Sequence, residues 1–476
     1  MTKLKTIFFA ASALMLLGVS ACKDPSDGTG GDSSGTLTPK YRIFFSVEGG
    51  NGTLKAEVDG VKINSGDSVE QGKSVVFTAE PAPDYVVEQW ANGGTLIGEA
   101  GTDKTYTHTV TANADIKVSF DAPFVEGGVS LILSPDKLDI TVKGTTADGT
   151  SVTVEGCTET TLISGIETVL HAKGSLVILK GNIKELDCRW NKLTALNVQG
   201  LTALQSLACG WNQLTALDVQ GLTTLQGLSC GDNGLTVLDV QGLSALQRLS
   251  CDRNKLTSLN VQGLTALVWL SCDRNKLTSL NVQGLTALVW LSCDRNKLTS
   301  LNVQGLTALQ RLSCYGNQLT ALNVQGLTAL QGLDCGSNQL TVLDVQGLTG
   351  LRTLECGRNK LTALDVQGLN ALQWLACTSN QLTELNVQGL TALKELLCWE
   401  KQLNADALKK LFNDLPVRAY SDNASCYLYT ERTDDTEGNH TYFSASPDLS
   451  DAFNNAKTVK KWKMYKYDAD GYGVRI

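Results

Sequence analysis

The sequence predicts a mainly β chain, in which a solenoid of about 11 repeats of 21 residues follows a small all-β domain and is closed by a cap at each end. The first observation behind this prediction is that cysteines recur with a constant 21-residue period from Cys188 to Cys398. The second is the pattern LxxLxCxxNxLTxLxV, which surrounds these cysteines with few changes. The third is a series of short apolar stretches, separated by glycine, asparagine and aspartate, that precedes the repeats.

Composition by itself limits the classes of function that are expected of this chain. The chain has 476 residues, 42% of them apolar, which is enough for a sizeable core. Its net charge of −8 argues against non-specific nucleic-acid binding, so no nucleic-acid partner is predicted. Only three histidines, His108, His171 and His440, are present for metal ligation or base catalysis. The sequence therefore predicts no enzyme activity, no metal and no cofactor.

The N-terminal segment, residues 1–22, has the features of a secretory signal peptide. Lys3 and Lys5 precede an apolar run over residues 7–19, which is too short to cross a hydrocarbon core of about 30 Å. The four residues that end at Cys22 resemble a bacterial lipobox, and that resemblance implies lipidation of Cys22 after cleavage. We therefore expect an outer-membrane lipoprotein exposed at the cell surface, which contacts the membrane only through its lipid. The alternative is an ordinary signal peptide in which Cys22 is incidental.

Two segments separate this anchor from the repeats. Residues 23–40 are rich in glycine, serine, aspartate and threonine and bury too little apolar surface to fold, which predicts a flexible tether. Residues 41–122 alternate short apolar stretches with turns and are predicted to form the small all-β domain. This domain resembles a bacterial repeat module found beside internalin-type proteins, and the resemblance implies a stalk or spacer. The matching residues are Gly52, Gly72, Ala79, Pro81, Tyr85, Trp90 and Phe120.

The repeats occupy residues 183–401, and each unit places its apolar residues at the same positions. In the unit that begins at Leu204, seven apolar side chains are predicted to point inward. One unit of this size cannot offset the entropy of ordering its backbone, so its stability must come from stacking on neighbours. This pattern is that of a leucine-rich repeat. The inward residues of the unit are Leu204, Leu207, Cys209, Leu214, Leu217, Val219 and Leu222.

Two further side chains recur inside the repeat. The asparagine three residues after each cysteine is expected to bond the backbone of the turn that leaves the strand. Neighbouring cysteines are expected to stay reduced and to pack as apolar groups, because equivalent atoms of adjacent parallel strands lie about 4.8 Å apart and do not converge. Cys157 and Cys426 are placed outside this ladder, near its opposite ends. The predicted ladder is Cys188, Cys209, Cys230, Cys251, Cys272, Cys293, Cys314, Cys335, Cys356, Cys377 and Cys398.

The segments on either side of the repeats are predicted to be caps. An uncapped solenoid would expose its core at both ends, so such segments are expected. Residues 123–182 form the predicted N-terminal cap. Residues 402–476 form the predicted C-terminal cap, which contains the amphipathic stretch ADALKKLFNDL.

The repeat also carries a resemblance to a known family. A 21-residue unit with cysteine in place of one leucine resembles the internalin J type of leucine-rich repeat, and the match covers residues 183–401. The recurring segment LTALDVQGLTAL resembles surface lipoproteins of the Bacteroidetes. Family members of known role are adhesins or binding proteins, so the resemblance implies a binding function. The chain departs from Gram-positive internalins in its predicted anchor, because a lipobox replaces their C-terminal wall-attachment signal.

A candidate binding surface follows from comparing the repeats with one another. The second half of each unit hardly varies, whereas the positions on either side of the inward strand residues vary freely. Strand residues alternate faces, so the variable positions are expected on the outer, concave face of the sheet. Tryptophan and arginine are the residues most enriched at interface hot spots. The predicted ligand-binding residues are Arg248, Trp269, Trp290, Arg311, Tyr315, Trp374, Asp252, Asp273 and Asp294.

A less specific interpretation of the same residues stays open. Residues 254–274 and 275–295 are identical, so the paired tryptophans are also explained as copies from a duplication. The aspartate and arginine columns are most simply a solvated set of mutual salt bridges, each worth little. Calcium binding by the aspartates is a weaker alternative.

Three functions are compared. The first is an adhesin-like surface protein whose solenoid binds a protein ligand on host or neighbouring cells. The second is a glycan-binding lipoprotein for nutrient capture, in which Trp269 and Trp290 stack on sugar rings. Strong salt dependence of binding would favour the protein ligand, and competition by free oligosaccharide would favour the glycan. The third is an enzyme, for which Cys426 and His440 are the Cys/His pair considered.

Overall fold

The computed structural model describes residues 38–432, 437–444 and 446–476. The predicted signal peptide, Cys22 and most of the predicted tether lie outside the described residues. Within the described ranges, the helices are all too short or too polar to cross a membrane.

The first unit of the structure consists of one mixed sheet and one antiparallel sheet, which enclose one core. One sheet has the strand order β4-β1-β9-β6-β7 and the other β3-β2-β5-β8. Phe77 and Trp90 are buried between them, and the Trp90 indole Nε1 donates to the Asp103 carbonyl over 2.9 Å. The strands are β1 (Lys40–Glu48), β2 (Gly52–Val58), β3 (Val61–Ile63), β4 (Asp67–Glu70), β5 (Ser74–Pro81), β6 (Val86–Asn92), β7 (Thr95–Leu96), β8 (Thr105–Thr109) and β9 (Ala114–Asp121).

The second unit closes the N-terminal end of the repeats from two sides. One group of strands pairs in the order β13-β12-β15-β10-β17. The long sheet of the repeats is extended by β11, which pairs antiparallel with its first strand β16, and by β14, which pairs antiparallel with β11. All six residues of β10 are buried between neighbouring layers. The strands are β10 (Gly128–Leu133), β11 (Asp139–Thr146), β12 (Val152–Glu155), β13 (Thr161–Leu162), β14 (Thr168–His171), β15 (Leu176–Lys180), β16 (Ile183–Asp187) and β17 (Leu193–Asn197).

The small β unit packs directly on this N-terminal cap. The Tyr85 hydroxyl donates to Thr194 Oγ1 over 2.9 Å, and Ala122, Ile132 and Ala195 form a separate small apolar cluster between the two units. Since Tyr85 and Ala122 belong to the first unit and the other residues to the cap and first repeat, the two units share a buried contact.

The repeats form one continuous parallel sheet. From the second repeat onward, each repeat contributes a three-residue strand whose middle leucine points into the core, and each strand pairs in register with the next. In-register stacking follows from the constant 21-residue length, which returns every unit to the same position. The strands are β18 (Ser206–Ala208), β19 (Gly227–Ser229), β20 (Arg248–Ser250), β21 (Trp269–Ser271), β22 (Trp290–Ser292), β23 (Arg311–Ser313), β24 (Gly332–Asp334), β25 (Thr353–Glu355), β26 (Trp374–Ala376) and β27 (Glu395–Leu397).

The nearly constant segment VQGL forms the turns on the side away from the sheet. In one repeat, Asp218 Oδ1 accepts from the Gln220 amide over 2.9 Å, and Gln220 Nε2 donates to the Asp239 carbonyl of the next repeat over 2.9 Å. Gly221 follows with φ of 80°, which favours glycine. The segment is therefore constant for structural reasons, because each turn bonds itself and its neighbour.

Buried asparagines link the repeats on the other side of the core. Asn275 Nδ2 donates to the carbonyls of Cys251 and Cys272 over 3.0 and 3.1 Å, and its Oδ1 accepts from the Leu256 amide over 3.0 Å. One side chain thus satisfies backbone groups of its own repeat and of the preceding one. The predicted structural role of this asparagine is confirmed, and the bonds reach further than predicted, because they also join adjacent repeats.

The cysteines of the repeats are fully buried beside these asparagines, and those in the described part of the chain are free. Burial raises the pKa of the Cys230 thiol to about 12, so it stays protonated and unreactive at neutral pH. Cys426, predicted to lie outside the ladder, is on the strand that pairs with β27 and is in register with Leu396, so it takes the place of the middle leucine. Its side chain is buried against Cys398 but does not continue the cysteine column.

The C-terminal cap adds two helices and three strands. Strand β28 (Ser425–Thr430) pairs parallel with β27, β29 (Lys463–Tyr467) pairs parallel with β28, and β30 (Gly473–Arg475) ends the sheet. The predicted amphipathic stretch forms α1 (Ala405–Asp414), whose apolar face is buried, and α2 (Pro447–Thr458) packs beside it. The predicted fold class is confirmed: the chain is a mainly β leucine-rich-repeat solenoid.

Candidate functional site

The outer face of the long sheet displays residues that vary between repeats. The first residue of each short strand points outward, and the in-register pairing aligns these residues in a column. The middle leucine points inward, so the residues on either side of it share the outer face. In the column, Arg248, Trp269, Trp290 and Arg311 are consecutive, and we call these four residues the Trp–Arg patch.

The two tryptophans of the Trp–Arg patch stack on each other. Their ring centroids lie 4.2 Å apart with an interplanar angle of 10°. The Arg311 guanidinium lies over the Trp290 ring, 5.2 Å from its centroid, which is cation–π distance. Trp269 remains 39% exposed. The stack therefore covers one face of each ring and leaves the outer face of Trp269 for a partner.

The structure brings some predicted residues into this patch and leaves others apart. Arg248 is exposed and pairs in register with Trp269, so it lies beside the open ring face. Tyr315 is half-buried and accepts the Arg295 guanidinium over its ring at 5.4 Å. Trp374 is separated from Arg311 by two further strands, and its buried indole Nε1 has no hydrogen-bond partner among the described residues. Trp374 is therefore not part of the patch.

The aspartates beside the patch bond serines rather than arginines. Asp273 Oδ1 accepts from Ser292 Oγ over 2.7 Å and from the Asp294 amide over 2.8 Å. Asp294 repeats the arrangement with Ser313 over 2.6 Å and the Tyr315 amide over 2.8 Å. Asp252 accepts from Ser250 of its own repeat over 2.6 Å. Mutual salt bridges between the aspartate and arginine columns are therefore the wrong explanation for Asp273 and Asp294.

Partial burial changes the acidity of two aspartates on this side of the sheet, Asp294 and Asp334. Burial, together with nearby carboxylates, raises the pKa of Asp294 from its ordinary 3.8 to about 6. Burial also raises the pKa of Asp334 to about 6, with a contribution from Glu355. The hydrogen bonds from Ser313 and Gly336 act in the opposite direction but do not cancel the effect. Asp294 and Asp334 are thus partly protonated just below neutral pH.

Replacing Asp294 with asparagine is expected to stabilise the protein at pH 7.5 by roughly 1 kcal/mol, after allowance for solvent screening of a half-buried group. Between about pH 4 and 6 the folded state binds more protons at Asp294 than the unfolded state, so folding is favoured as the pH falls through that window. The cost of the charge is present above the folded pKa and disappears toward pH 4. Urea denaturation at pH 7.5 and at pH 4.5 checks this, and a difference that does not shrink at the lower pH would contradict it.

A second tryptophan pair was not among the predicted site residues. Trp190 and Trp211 stack with centroids 4.3 Å apart and an interplanar angle of 10°, and they are 58% and 41% exposed. They occupy the second position after Cys188 and Cys209, which is held by arginine in four later repeats, at Arg253, Arg274, Arg295 and Arg358. Their 21-residue separation is the signal that could have identified them, because equivalent positions of adjacent repeats always become neighbours.

The structure gives no support to the Cys426/His440 pair as catalytic groups. Cys426 is fully buried against Cys398, and burial raises its pKa well above its ordinary value. His440 Nε2 is hydrogen-bonded to the Tyr442 carbonyl over 2.7 Å. Across the described ranges, no group of three or more histidine, cysteine, aspartate or glutamate side chains is arranged to hold a metal ion.

Comparison with known proteins gives structural neighbours only. No family model and no curated protein matches the chain. The functional domain of InlJ from Listeria monocytogenes, which includes a cysteine ladder, is 33% identical over 52% of this chain and 49% of its own length, with a TM-score of 0.43. An internalin, InlF from Listeria monocytogenes, is 23% identical over 56% of this chain and 84% of its own, with a TM-score of 0.44. A leucine-rich-repeat protein from Leptospira interrogans is 28% identical over 48% of this chain and 67% of its own, with a TM-score of 0.38. This chain thus spans about half the length of the InlJ domain.

Proposed function

We propose that this protein is an adhesin-like, lipid-anchored protein of the outer cell surface, and that the Trp–Arg patch binds a protein ligand on host or neighbouring cells. The observation that carries the proposal is the stacked pair Trp269/Trp290 with Arg311 over one end and an open ring face at the other. Large, rigid aromatic surface costs little entropy to immobilise, which suits a hot spot. The anchor rests on the sequence of the predicted signal peptide alone.

The ring geometry favours a protein ligand over a glycan at this patch. A glycan that stacks on Trp269 and Trp290 would need a free face on each ring. The two rings cover each other, and Arg311 lies over the remaining face of Trp290. One open face beside Arg248 suits a single aromatic or acidic side chain of a protein better than a run of sugar rings.

The test measures binding of the chain from residue 38 onward to host cells and matrix proteins. The variant Arg248→Ala/Trp269→Ala/Trp290→Ala/Arg311→Ala is expected to weaken binding at least tenfold, since hot-spot side chains each contribute about 2 kcal/mol or more. The matched control is Trp190→Ala/Trp211→Ala, which removes a stack of nearly the same geometry from another column and is expected to leave binding unchanged.

Several outcomes would contradict this proposal. If the wild-type chain binds none of these surfaces, or if the patch variant binds like wild type while folded, the patch is not the ligand site. Competition by free neutral oligosaccharide would identify the glycan alternative instead. The anchor is checked by fractionating the cells that produce the protein. The variant Cys22→Ser is expected to move the protein out of the membrane fraction.

A further inference from the structure

One edge of the solenoid carries a regular group of cations. It lies in the loops that leave β20, β21 and β22, where the second and fourth residues after the cysteine are exposed and the asparagine between them is buried. In three successive repeats both exposed positions are basic. We call this group the cationic grid, and it consists of Arg253, Lys255, Arg274, Lys276, Arg295 and Lys297.

The backbone fixes the spacing of the cationic grid. The strands β20, β21 and β22 pair in register, so equivalent groups recur about every 4.8 Å along the sheet. Arg253, Arg274 and Arg295 share a left-handed backbone with φ of 51°, 52° and 51°. The buried asparagines hold this loop in the same shape in each repeat. The stacking of the core therefore holds the backbone positions that carry these like charges close together.

Among the described residues, Asp232 at one corner of the grid compensates part of this charge, mainly at Arg253 and more weakly at Arg274. The Arg253 Nε lies 3.8 Å from Asp232 Oδ2, and this is the one ion pair within 4.0 Å that the described residues form with the grid. Asp273 and Asp294 precede Arg274 and Arg295 in sequence but are bonded to serines and backbone amides. In a chain of net charge −8, the grid is thus a local concentration of positive charge.

We propose that the cationic grid binds an anionic polysaccharide, whose sulfate or carboxylate groups recur along the chain and meet successive repeats. Guanidinium groups bind such anions through paired hydrogen bonds, and lysines add charge without fixed geometry. A grid whose period is set by the repeats suits a polymer with a period of its own better than the irregular surface of a folded acidic protein. This surface is separate from the Trp–Arg patch, and the proposal does not depend on the proposed function.

A nucleic acid fits the same surface less well. A duplex carries a charge about every 1.7 Å and would continue beyond three repeats. It would meet Asp232 at one end, and at the other end the equivalent positions are the uncharged Gly316 and Gln318. Single strands bind through stacking on aromatic rings, and the ring beside the grid, Tyr315, already has the Arg295 guanidinium over it.

The experiment uses heparin and hyaluronan as probes of the full-length purified chain, because one is sulfated and the other only carboxylated. The test variant is Arg274→Ser/Lys276→Gln, inside the grid. The matched control is Arg358→Ser/Lys360→Gln, which removes two charges from the same positions of a repeat outside the grid. Serine and glutamine are chosen because the chain itself uses them at these positions, as in Ser337 and Gln339.

The wild-type chain is expected to bind at least one probe and to be released by salt. The grid variant is expected to bind roughly tenfold or more weakly, whereas the control stays within about twofold of wild type. Equal loss in both variants would overturn the proposal, since net charge alone would then explain binding. So would a failure of wild type to bind either probe, or a preference for duplex DNA or anionic vesicles over both. The variant Trp269→Ala/Trp290→Ala is expected to retain probe binding, which separates this result from the proposed function.

Discussion

Replacing Asn296 with alanine is expected to destabilise the solenoid by about 2–6 kcal/mol. The side chain donates to the Cys272 and Cys293 carbonyls over 3.0 and 3.1 Å and accepts from the Leu277 amide over 3.0 Å. Alanine leaves the buried Leu277 amide without its partner, which costs about 1–3 kcal/mol. The Cys272 and Cys293 carbonyls keep Asn275 and Asn317 as donors, so each loses one of two bonds, worth about 0.5–1.5 kcal/mol. Because the bonds reach into the preceding repeat, the loss falls on the interface between repeats, on which the stability of the array depends.

Chemical denaturation measures this loss, and amide hydrogen exchange at Leu277 locates it. The control is Thr299→Ala in the same repeat, where the side chain is exposed and an effect within about 0.5 kcal/mol is expected. If Asn296→Ala is as stable as the control, the asparagines do not join the repeats in the way the hydrogen bonds indicate.

Replacing Trp462 with alanine is expected to cost about 3–5 kcal/mol, because it empties the centre of the C-terminal cap. The ring is 1% exposed, and its Nε1 donates to the Pro416 carbonyl over 2.8 Å. Its backbone amide bonds the Ala456 carbonyl of α2, so the residue joins the end of α2 to the segment after α1. Loosening this cap exposes the last apolar layer of the solenoid to water.

The expected readout is a lower denaturation midpoint with the earliest loss of hydrogen-exchange protection in β28 and β29. Tyr472→Ala is the control, since that ring is exposed on the same cap and its loss is expected to change stability by less than about 0.5 kcal/mol. A folded Trp462→Ala protein with unchanged midpoint would show that the cap contributes little to the array.

The two binding surfaces differ in what could be predicted of them. The Trp–Arg patch follows from the 21-residue spacing and the alternation of strand residues, which together place Trp269 beside Trp290. Periodicity also relates the lysines of the cationic grid, but their exposure becomes evident only when the loop geometry is known. The bonding of Asp273 to Ser292 could not be predicted, because the sequence offers Arg274 as an equally near partner.

The sequence by itself determined the repeat, its inward residues and the structural role of the asparagines, because a strict and constant period forces equivalent positions to stack. The tertiary structure alone decided how the stack ends. At the N-terminal end, Asn191 bonds the Thr141 backbone of β11 instead of an earlier repeat. At the C-terminal end, the buried Lys401 takes the place of an asparagine, and Asn439 of the cap supplies the last set of bonds, to the Cys398 carbonyl and the Leu403 amide. These partners lie far apart in the chain and follow no period, so only the folded structure brings them together.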